Sequence, residues 1–396
     1  MTTNRLIGSV FIFVSLFPWL SFRLTNLDTQ PWSIIFAVLF LFSCLFTSKL
    51  VIKTKDLALL SILPIFFVVL IFDDWVGFLT FRAFASYVGF SVVLFSFIQY
   101  IRKYGPPVKI VALSNLIYIA FALLQVNLGN GVVDSLLAAR TSTARGVTSL
   151  TVEPTYFGVV LFFFSWLYLF YCNYRPNKLF SFLVLVNFIT TLFVAKSSMA
   201  SLFFLILLSG VLLPKIGFFK SLFLFFLCLP FLYFFIELYL PGSRIYLFYS
   251  YVIERGVADF FYYDASANAR LAAVILPLHG FLYNYLMPGG FYSYPDIVQE
   301  IFSFYDGFFW YGYNNDKIMS FTGAFVYELG FLGLIYILTI SFYLCNGKGF
   351  RVFEVLILNV LLFSAIPVGF TIAPLLMSFM FLDVSRRINE SQGGRF

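Results

Sequence analysis

Apolar runs long enough to cross a lipid bilayer recur along almost the whole chain, and this feature constrains the fold most. A spanning helix needs about 20 mostly apolar residues. Only 11% of the 396 residues are charged, too few to cover the outside of a soluble protein. The sequence therefore predicts an all-α, polytopic transmembrane helical bundle that forms a single integral membrane domain over residues 1–396. We predict twelve spans, over residues 6–22, 31–47, 56–72, 84–101, 108–126, 154–172, 179–195, 197–213, 217–240, 321–344, 353–369 and 371–384.

The distribution of Lys and Arg predicts the orientation of these spans. With the N-terminus in the cytoplasm, the inner segments carry 16 basic and 4 acidic residues, against 9 basic and 14 acidic residues outside. Cytoplasmic loops are enriched in Lys and Arg, so both termini are predicted to be cytoplasmic. The net charge of +7 is thereby interpreted as topology and not as nucleic-acid binding. The last two spans are short, and one bent element around Pro367 and Gly369 is the alternative.

Two outer loops follow from this topology, over residues 127–153 and 241–320. The second is far longer than a connection requires, and long ordered loops usually carry function. It contains an apolar stretch from Leu271 to Met287. A thirteenth span there would place Lys348 and Arg351 outside, so an interfacial or re-entrant helix is predicted instead.

Basic side chains on the outer face run against the charge trend and form a candidate anion site. A guanidinium group binds phosphate oxygens at two points, so several of them would suit a pyrophosphate at the membrane surface. The alternative is that each one pairs with a nearby carboxylate, such as Asp134, Glu254, Asp259 or Asp264. The basic residues of this candidate anion site are Arg140 and Arg145 in the first loop, Arg244, Arg255, Arg270 and Lys317 in the second, and Lys196 at a helix junction.

Two carboxylates are candidates for proton transfer. Glu153 precedes Pro154, which favours the first position of a helix, so Glu153 is either a helix cap or a base at the outer surface. Glu328 lies inside the predicted span 321–344, where an ionisable group is costly and is a functional candidate. A buried hydrogen bond between helices is its alternative role.

Other polar groups favour packing over chemistry. His279 is interpreted as a hydrogen-bonded interface residue, and Ser197, Ser198 and Ser201 as small residues that allow close helix packing. One histidine, with four cysteines in apolar runs, predicts neither a His/Cys zinc site nor a disulfide framework. There is no P-loop and no GxSxG motif.

Four segments of the chain carry a recognisable pattern: the Glu-Pro segment (RGVTSLTVEPTYFG, 145–158), the Ser-rich segment (AKSSMASL, 195–202), the Arg-Leu segment (SANARLAAV, 266–274) and the Glu-Leu-Gly segment (SFTGAFVYELGFLG, 320–333). In this order they resemble the O-antigen polymerase (Wzy) family of bacterial inner membranes. The related O-antigen ligases usually carry a catalytic histidine shortly before the Glu-Leu-Gly segment. Residues 317–320 stand at that position in this chain and include no histidine. This difference favours a polymerase over a ligase. The Ser-rich segment often contains an arginine, where this chain has only Lys196 nearby.

The resemblance implies a glycosyltransferase that polymerises undecaprenyl-pyrophosphate-linked oligosaccharide repeat units at the periplasmic face, without metal or cofactor. Glu153 and Arg270 would be catalytic, with Glu328 a less favoured base. Polyprenyl tails would lie between spans, and a flippase and a chain-length regulator would be partners. The substrate-binding residues would be Arg140, Arg145, Tyr156, Lys196, Arg244, Arg255 and Glu328.

Six aromatic residues of the large loop would stack on sugars or pack at the membrane interface. They are Tyr292, Tyr294, Tyr305, Trp310, Tyr311 and Tyr313.

The alternatives in function are an O-antigen ligase and a flippase or other transporter. Transporters usually show internal repeats and broken helices, and no clear repeat is present.

Overall fold

The regular elements of the described chain are helices. The structure, a computed structural model, describes residues 3–21, 29–47, 50–72, 77–129, 131–134, 136–137, 146–216, 244–254, 256–311, 318–345, 349–364 and 366–384. The predicted span 217–240 lies outside these ranges, as do Arg140, Arg145, Arg255 and Lys317. The helices are α1 (Thr3–Ser15), α2 (Trp32–Thr47), α3 (Thr54–Leu60), α4 (Ile62–Phe72), α5 (Phe78–Tyr104), α6 (Val108–Leu128), α7 (Gly131–Asp134), α8 (Pro154–Tyr171), α9 (Lys178–Ile189), α10 (Ser198–Ile216), α11 (Arg244–Glu254), α12 (Val257–Tyr263), α13 (Ala265–Tyr283), α14 (Tyr294–Phe302), α15 (Phe321–Glu328), α16 (Gly330–Cys345), α17 (Gly349–Ser364) and α18 (Ile372–Leu382).

By length and composition, five segments of the described chain can cross a membrane. Further apolar helices of 10–17 residues, such as α2 and α18, fall below that length. The chain is therefore a multi-pass helical membrane protein, as the sequence predicts. The five segments are Thr54–Ile71, Phe78–Tyr104, Val108–Leu128, Pro154–Tyr171 and Ala265–Tyr283.

The prediction of one continuous span over residues 321–344 is wrong. Helix α15 ends at Glu328 and α16 begins at Gly330. The rings of Phe325 and Tyr336 stack with centroids 5.7 Å apart, although eleven residues of a continuous helix rise roughly 16 Å. The chain therefore folds back on itself at this break.

Two glycines make this break possible. Gly330 has a φ of +62°, and a Cβ there would lie 2.5 Å from the Pro288 nitrogen. A Cβ at Gly333 would lie 2.0 Å from the carbonyl oxygen of Phe325. Only residues without a side chain permit this conformation and this close approach.

Other boundaries shift by smaller amounts. Helix α1 ends at Ser15, well before the predicted end at residue 22, and the predicted span 56–72 consists of α3 and α4. The last two predicted spans are separate helices, α17 and α18, so the single bent element is excluded. A single π-helical turn, Thr190–Val194, continues α9.

The chain divides into two compact units. The first comprises residues 1–50, 96–247 and 371–396. Its centre is α8, most of whose residues are buried and which contacts α6, α9, α10 and α18. Buried aromatic rings fill this centre, with Trp166 and Tyr168 among the largest.

The second unit comprises residues 51–95 and 248–370. Helix α13 contacts α14, α15 and α17 there. Its core combines side chains from α13, α14, α15 and the turn that follows α14: Ala272, Leu276, Tyr294, Val298, Ile301, Phe309 and Tyr327.

Candidate functional site

Glu153 occupies the N-cap of α8, but its side chain does not cap the helix. Its backbone is extended, with φ −141° and ψ 149°, Pro154 begins the helix, and no capping hydrogen bond from the side chain is formed. The half-buried carboxylate makes no hydrogen bond or ion pair within the described part of the chain. The backbone carbonyl is engaged instead, since the Thr151 hydroxyl donates to it at 2.7 Å. The Glu153 carboxylate therefore lies at the start of α8 without capping the helix.

The chain that leads into Glu153 is held by buried hydrogen bonds in the first unit. The Ser149 N–H donates to Gln125 Oε1 at 2.7 Å, and the Ser149 hydroxyl donates to the Tyr118 carbonyl at 2.6 Å. Thr148 Oγ1 accepts from Gln125 Nε2 at 3.1 Å. Ser149 itself is left-handed, with φ +52°. These contacts fix the position of Glu153 against α6.

The Glu-Pro and Ser-rich segments lie against each other. The Val147 N–H donates to the Val194 carbonyl at 3.1 Å, and a Cβ at Gly158 would lie 2.7 Å from that of Ser197. Ser197 is buried, so the predicted role in close packing explains this serine. Two segments about forty residues apart in sequence therefore form one surface beside the start of α8.

Lys196 stands at the junction of these segments. It is exposed and left-handed, with φ +50°. The preceding residue, Ala195, is approached so closely that a Cβ at Gly146 would lie 2.2 Å from its carbonyl oxygen. Arg145 directly precedes Gly146 in sequence, although its own position is not described. An exposed lysine thus lies beside Gly146, the residue that follows Arg145 in the sequence.

Tyr156 lies in the core of the first unit. Its ring is 8% exposed and lies 5.5 Å from the ring of Trp19, at an angle of 36°. Packing accounts for this position, and substrate contact by Tyr156 stays a prediction.

Arg270 projects from the second turn of α13 and is half-buried. Asp264 caps this helix, because its Oδ1 accepts from the Ala267 N–H at 2.7 Å. Asn268 ties the same turn to two other segments, donating to the carbonyls of Phe261 at 3.1 Å and Phe308 at 2.8 Å. Asn268 was missed by sequence reasoning, although an asparagine shortly before the apolar stretch Leu271–Met287 was an available signal, since its amide needs partners once the segment is buried. Arg270 is therefore carried by a helix whose start is fixed.

Glu328 forms the buried hydrogen bonds that were the alternative to a catalytic role. It is 8% exposed, and its Oε2 accepts from the hydroxyl of Tyr87 on α5. Its Oε1 accepts from the Tyr292 N–H at 3.3 Å. Tyr87 was also missed, although a tyrosine within an apolar span requires a partner for its hydroxyl.

The aromatic residues of the large loop divide between core and surface. Tyr294 is buried against Tyr327, with ring centroids 5.7 Å apart, whereas Trp310 and Tyr311 are more than 40% exposed. His279 Nδ1 lies 2.9 Å from the Tyr305 hydroxyl, which agrees with its predicted role as a hydrogen-bonded residue. Burial raises the pKa of Tyr305, so this hydroxyl keeps its proton and can donate.

The predicted site residues thus fall into two groups, one in each unit. Glu153, Tyr156 and Lys196 lie in the first unit, and Arg270 and Glu328 in the second. The backbone of Arg244 is in α11. Among the described residues, no three His, Cys, Asp or Glu side chains come together as a metal site.

Comparison with known proteins adds no relative. No family model matches the chain, and no curated protein matches it at a significant level. The chemistry of the site is therefore inferred from its residues and their geometry.

Proposed function

We propose that the chain is a membrane glycosyltransferase that polymerises undecaprenyl-pyrophosphate-linked oligosaccharide repeat units into O-antigen polysaccharide. The observation that carries the proposal is the spatial pairing of the four segments that resemble the O-antigen polymerase family. The Glu-Pro segment packs on the Ser-rich segment at Gly158 and Ser197. The Arg-Leu segment packs on the Glu-Leu-Gly segment, where a Cβ at Gly323 would lie 3.1 Å from the Ala273 carbonyl oxygen.

The residues fit the chemistry of this transfer. The acceptor hydroxyl oxygen bonds to the anomeric carbon of the growing glycan, the bond from that carbon to the pyrophosphate oxygen breaks, and the hydroxyl proton passes to a carboxylate. Glu153 suits that last role because its carboxylate is not engaged in the helix cap. Arg270 and the other outer arginines would stabilise the charge that grows on the leaving pyrophosphate. Guanidinium groups would thereby supply the charge that a metal ion provides in other phosphate sites.

The proposed setting is the periplasmic face of a bacterial inner membrane, with both termini in the cytoplasm. The charge asymmetry of the predicted loops supports this orientation. Glu153, Lys196 and Arg270 all lie in segments that this topology places at the outer side, where lipid-linked repeat units would be joined.

Product analysis of a deletion strain tests the proposal. Loss of long chains, with single repeat units still attached to lipid A-core, is the expected result. Loss of all attachment would indicate a ligase, and failure to deliver the repeat unit outward would indicate a flippase. Complementation with Glu153→Gln then asks whether the carboxylate is needed, with expression measured in the same cells.

A transporter of lipid-linked oligosaccharide is the second candidate, and one observation favours it. Transporters often carry interrupted helices and ionisable groups at membrane depth, and the break between α15 and α16 directly follows the buried Glu328. Reconstituted protein in vesicles separates the two functions. Movement of a labelled lipid-linked repeat across the bilayer, without chain extension, would support the transporter.

A further inference from the structure

We propose that residues 265–311 form a re-entrant hairpin whose tip is held inside the membrane by a clasp between Glu328 and Tyr87. In this arrangement Glu328 positions the tip and is not the base of the reaction. The hairpin and its clasp are independent of the proposed reaction, since they are defined by hydrogen bonds within the second unit and are measured without substrate.

Within the hairpin, the chain runs along α13 and then returns beside the same helix. His279, near the end of α13, contacts Tyr305 at 2.9 Å, and Asn268, near its start, donates to the Phe308 carbonyl at 2.8 Å. Later residues of the return thus meet earlier residues of α13, which is an antiparallel course. Both ends of the hairpin therefore lie beside the start of α13, although its 19 residues are enough to cross a membrane.

The return segment is not itself a spanning helix. Its only α-helix, α14, has nine residues, and a left-handed residue, Asp306, follows at φ +47°. It also carries Asp296 and Glu300, which are exposed. A short helix with two exposed carboxylates is unsuited to lipid contact over its whole length.

The tip between α13 and α14 has irregular backbone that is bonded to the break between α15 and α16. Three of its non-glycine residues are left-handed: Tyr285, Leu286 and Tyr292, at φ +53°, +67° and +63°. The N–H groups of Gly289 and Gly290 donate to the carbonyls of Tyr327 and Glu328, at 2.9 and 3.3 Å, and Phe331 N–H donates to the Leu286 carbonyl at 2.9 Å. Irregular backbone at membrane depth is tolerated only where protein satisfies it in this way.

The carboxylate of Glu328 joins the tip to α5. It accepts from the Tyr292 N–H at 3.3 Å on one oxygen and from the Tyr87 hydroxyl on the other. Phe291, the neighbour of Tyr292, packs its ring 5.7 Å from the Tyr87 ring and 5.8 Å from that of Phe84. One side chain therefore connects the tip, the end of α15 and a helix long enough to span the membrane.

The partners of the tip set its depth. Tyr87 lies nine residues after the start of α5, which is roughly 13 Å along a helix. Apolar side chains at and beside the tip are exposed, with Leu282 at 65% and Met287 at 59%. Their occupant is lipid hydrocarbon, because Phe67 and Ile71 on α4 are exposed to 68% and 78%, and α4 also touches the tip through the Phe66 and Phe291 rings, 6.3 Å apart.

Cysteine labelling in vesicles tests the clasp. Met287→Cys is introduced after Cys44, Cys172, Cys228 and Cys345 are replaced, and its reaction with a water-soluble maleimide should be slow, because the thiol lies in hydrocarbon. Glu328→Ala should speed labelling about tenfold or more, and Tyr87→Phe about tenfold, since each removes a buried hydrogen bond of the clasp. Glu328→Gln should change the rate less than about threefold, because its amide oxygen can accept from the Tyr292 N–H while its amide N–H donates to the Tyr87 hydroxyl oxygen, so both contacts are kept.

Matched variants decide the outcome. Tyr336→Phe removes another buried hydroxyl of the same unit, which donates to the Leu59 carbonyl at 3.1 Å, and should leave the rate unchanged. Tyr87→Phe should add less than about twofold when Glu328 is already alanine. If it adds its full effect there, or if position 287 labels rapidly with the clasp intact, the proposal is overturned. Should Glu328→Ala fail to accumulate, Glu328→Leu replaces it in the cycle.

A second labelling experiment tests the course of the hairpin. Tyr263 and Tyr311 lie at its two ends, are 51% and 47% exposed, and are each replaced by cysteine. Both should react with an impermeant reagent added to the same side of the membrane. Labelling from opposite sides would make α13 a full span and would overturn the re-entrant course.

Discussion

Replacing Glu153 by glutamine separates the two roles that a carboxylate can have at this position. Glutamine keeps the size and one acceptor oxygen but cannot take a proton near neutral pH. A general base contributes about a hundredfold to ten-thousandfold in rate, which equals roughly 3–5 kcal/mol of transition-state stabilisation. We therefore expect chain extension to fall by at least about a hundredfold per folded molecule.

The structure sets the expected effect on stability, and it is small. An N-cap side chain that makes its hydrogen bond is worth about 1 kcal/mol. Glu153 makes no such bond, so Glu153→Gln should change the free energy of unfolding by no more than about 0.5 kcal/mol. A base therefore predicts a large loss of rate at nearly unchanged stability, whereas a cap predicts a loss of stability at an unchanged rate per folded molecule.

The assay uses purified protein in vesicles with a lipid-linked repeat unit, and it measures product length on gels and folded protein by size exclusion. Glu300→Gln is the matched control, because Glu300 is an exposed outer-loop glutamate that accepts from the Tyr283 hydroxyl, and it should retain normal activity. Normal product lengths from Glu153→Gln at normal protein levels would refute the role of Glu153 as a base.

Four other outcomes are expected. Arg270→Lys should reduce polymerisation at least about tenfold at normal expression, because lysine keeps the charge but loses the planar two-point contact with phosphate; unchanged chain lengths would contradict this. Activity of purified protein should survive EDTA, whereas loss restored by magnesium would show that arginines are not the sole pyrophosphate contacts. Gly330→Ala should lower the melting temperature in detergent by several degrees, because a Cβ there would meet the Pro288 nitrogen at 2.5 Å, while Gly307→Ala, also at positive φ but with open space around it, should cost only about 1 kcal/mol. A cysteine at position 387 should be labelled from the cytoplasmic side, and labelling from outside would reverse the topology.

Several features of the fold could be predicted because they depend on local sequence. The helices α2, α6 and α8 begin and end within about two residues of the predicted spans, since each is an apolar run bounded by polar residues, Pro or Gly. The N-cap position of Glu153 was also readable from the proline that follows it.

The candidate site was less predictable, because its contacts join residues far apart in the chain. Tyr87 and Glu328 are 241 positions apart, and no local pattern pairs them. The break after Glu328 was missed for a related reason. The segment from 321 to 344 is predominantly apolar despite Glu328, so its composition matches a continuous span, while the turn at Gly330 depends on the close approach of Pro288.

The sequence by itself determined that this is a helical membrane protein, and it assigned the orientation that the charges favour. Hydrophobic length and loop charge are sums over neighbouring residues, and the bilayer acts on those sums directly. Only the tertiary structure decided which helix is broken, that the Glu153 carboxylate does not cap its helix, and that Glu328 is bonded to Tyr87. In a chain whose helices are apolar on nearly every face, periodicity does not show which faces meet. That choice is made by glycine clearances and by buried polar groups that must find partners.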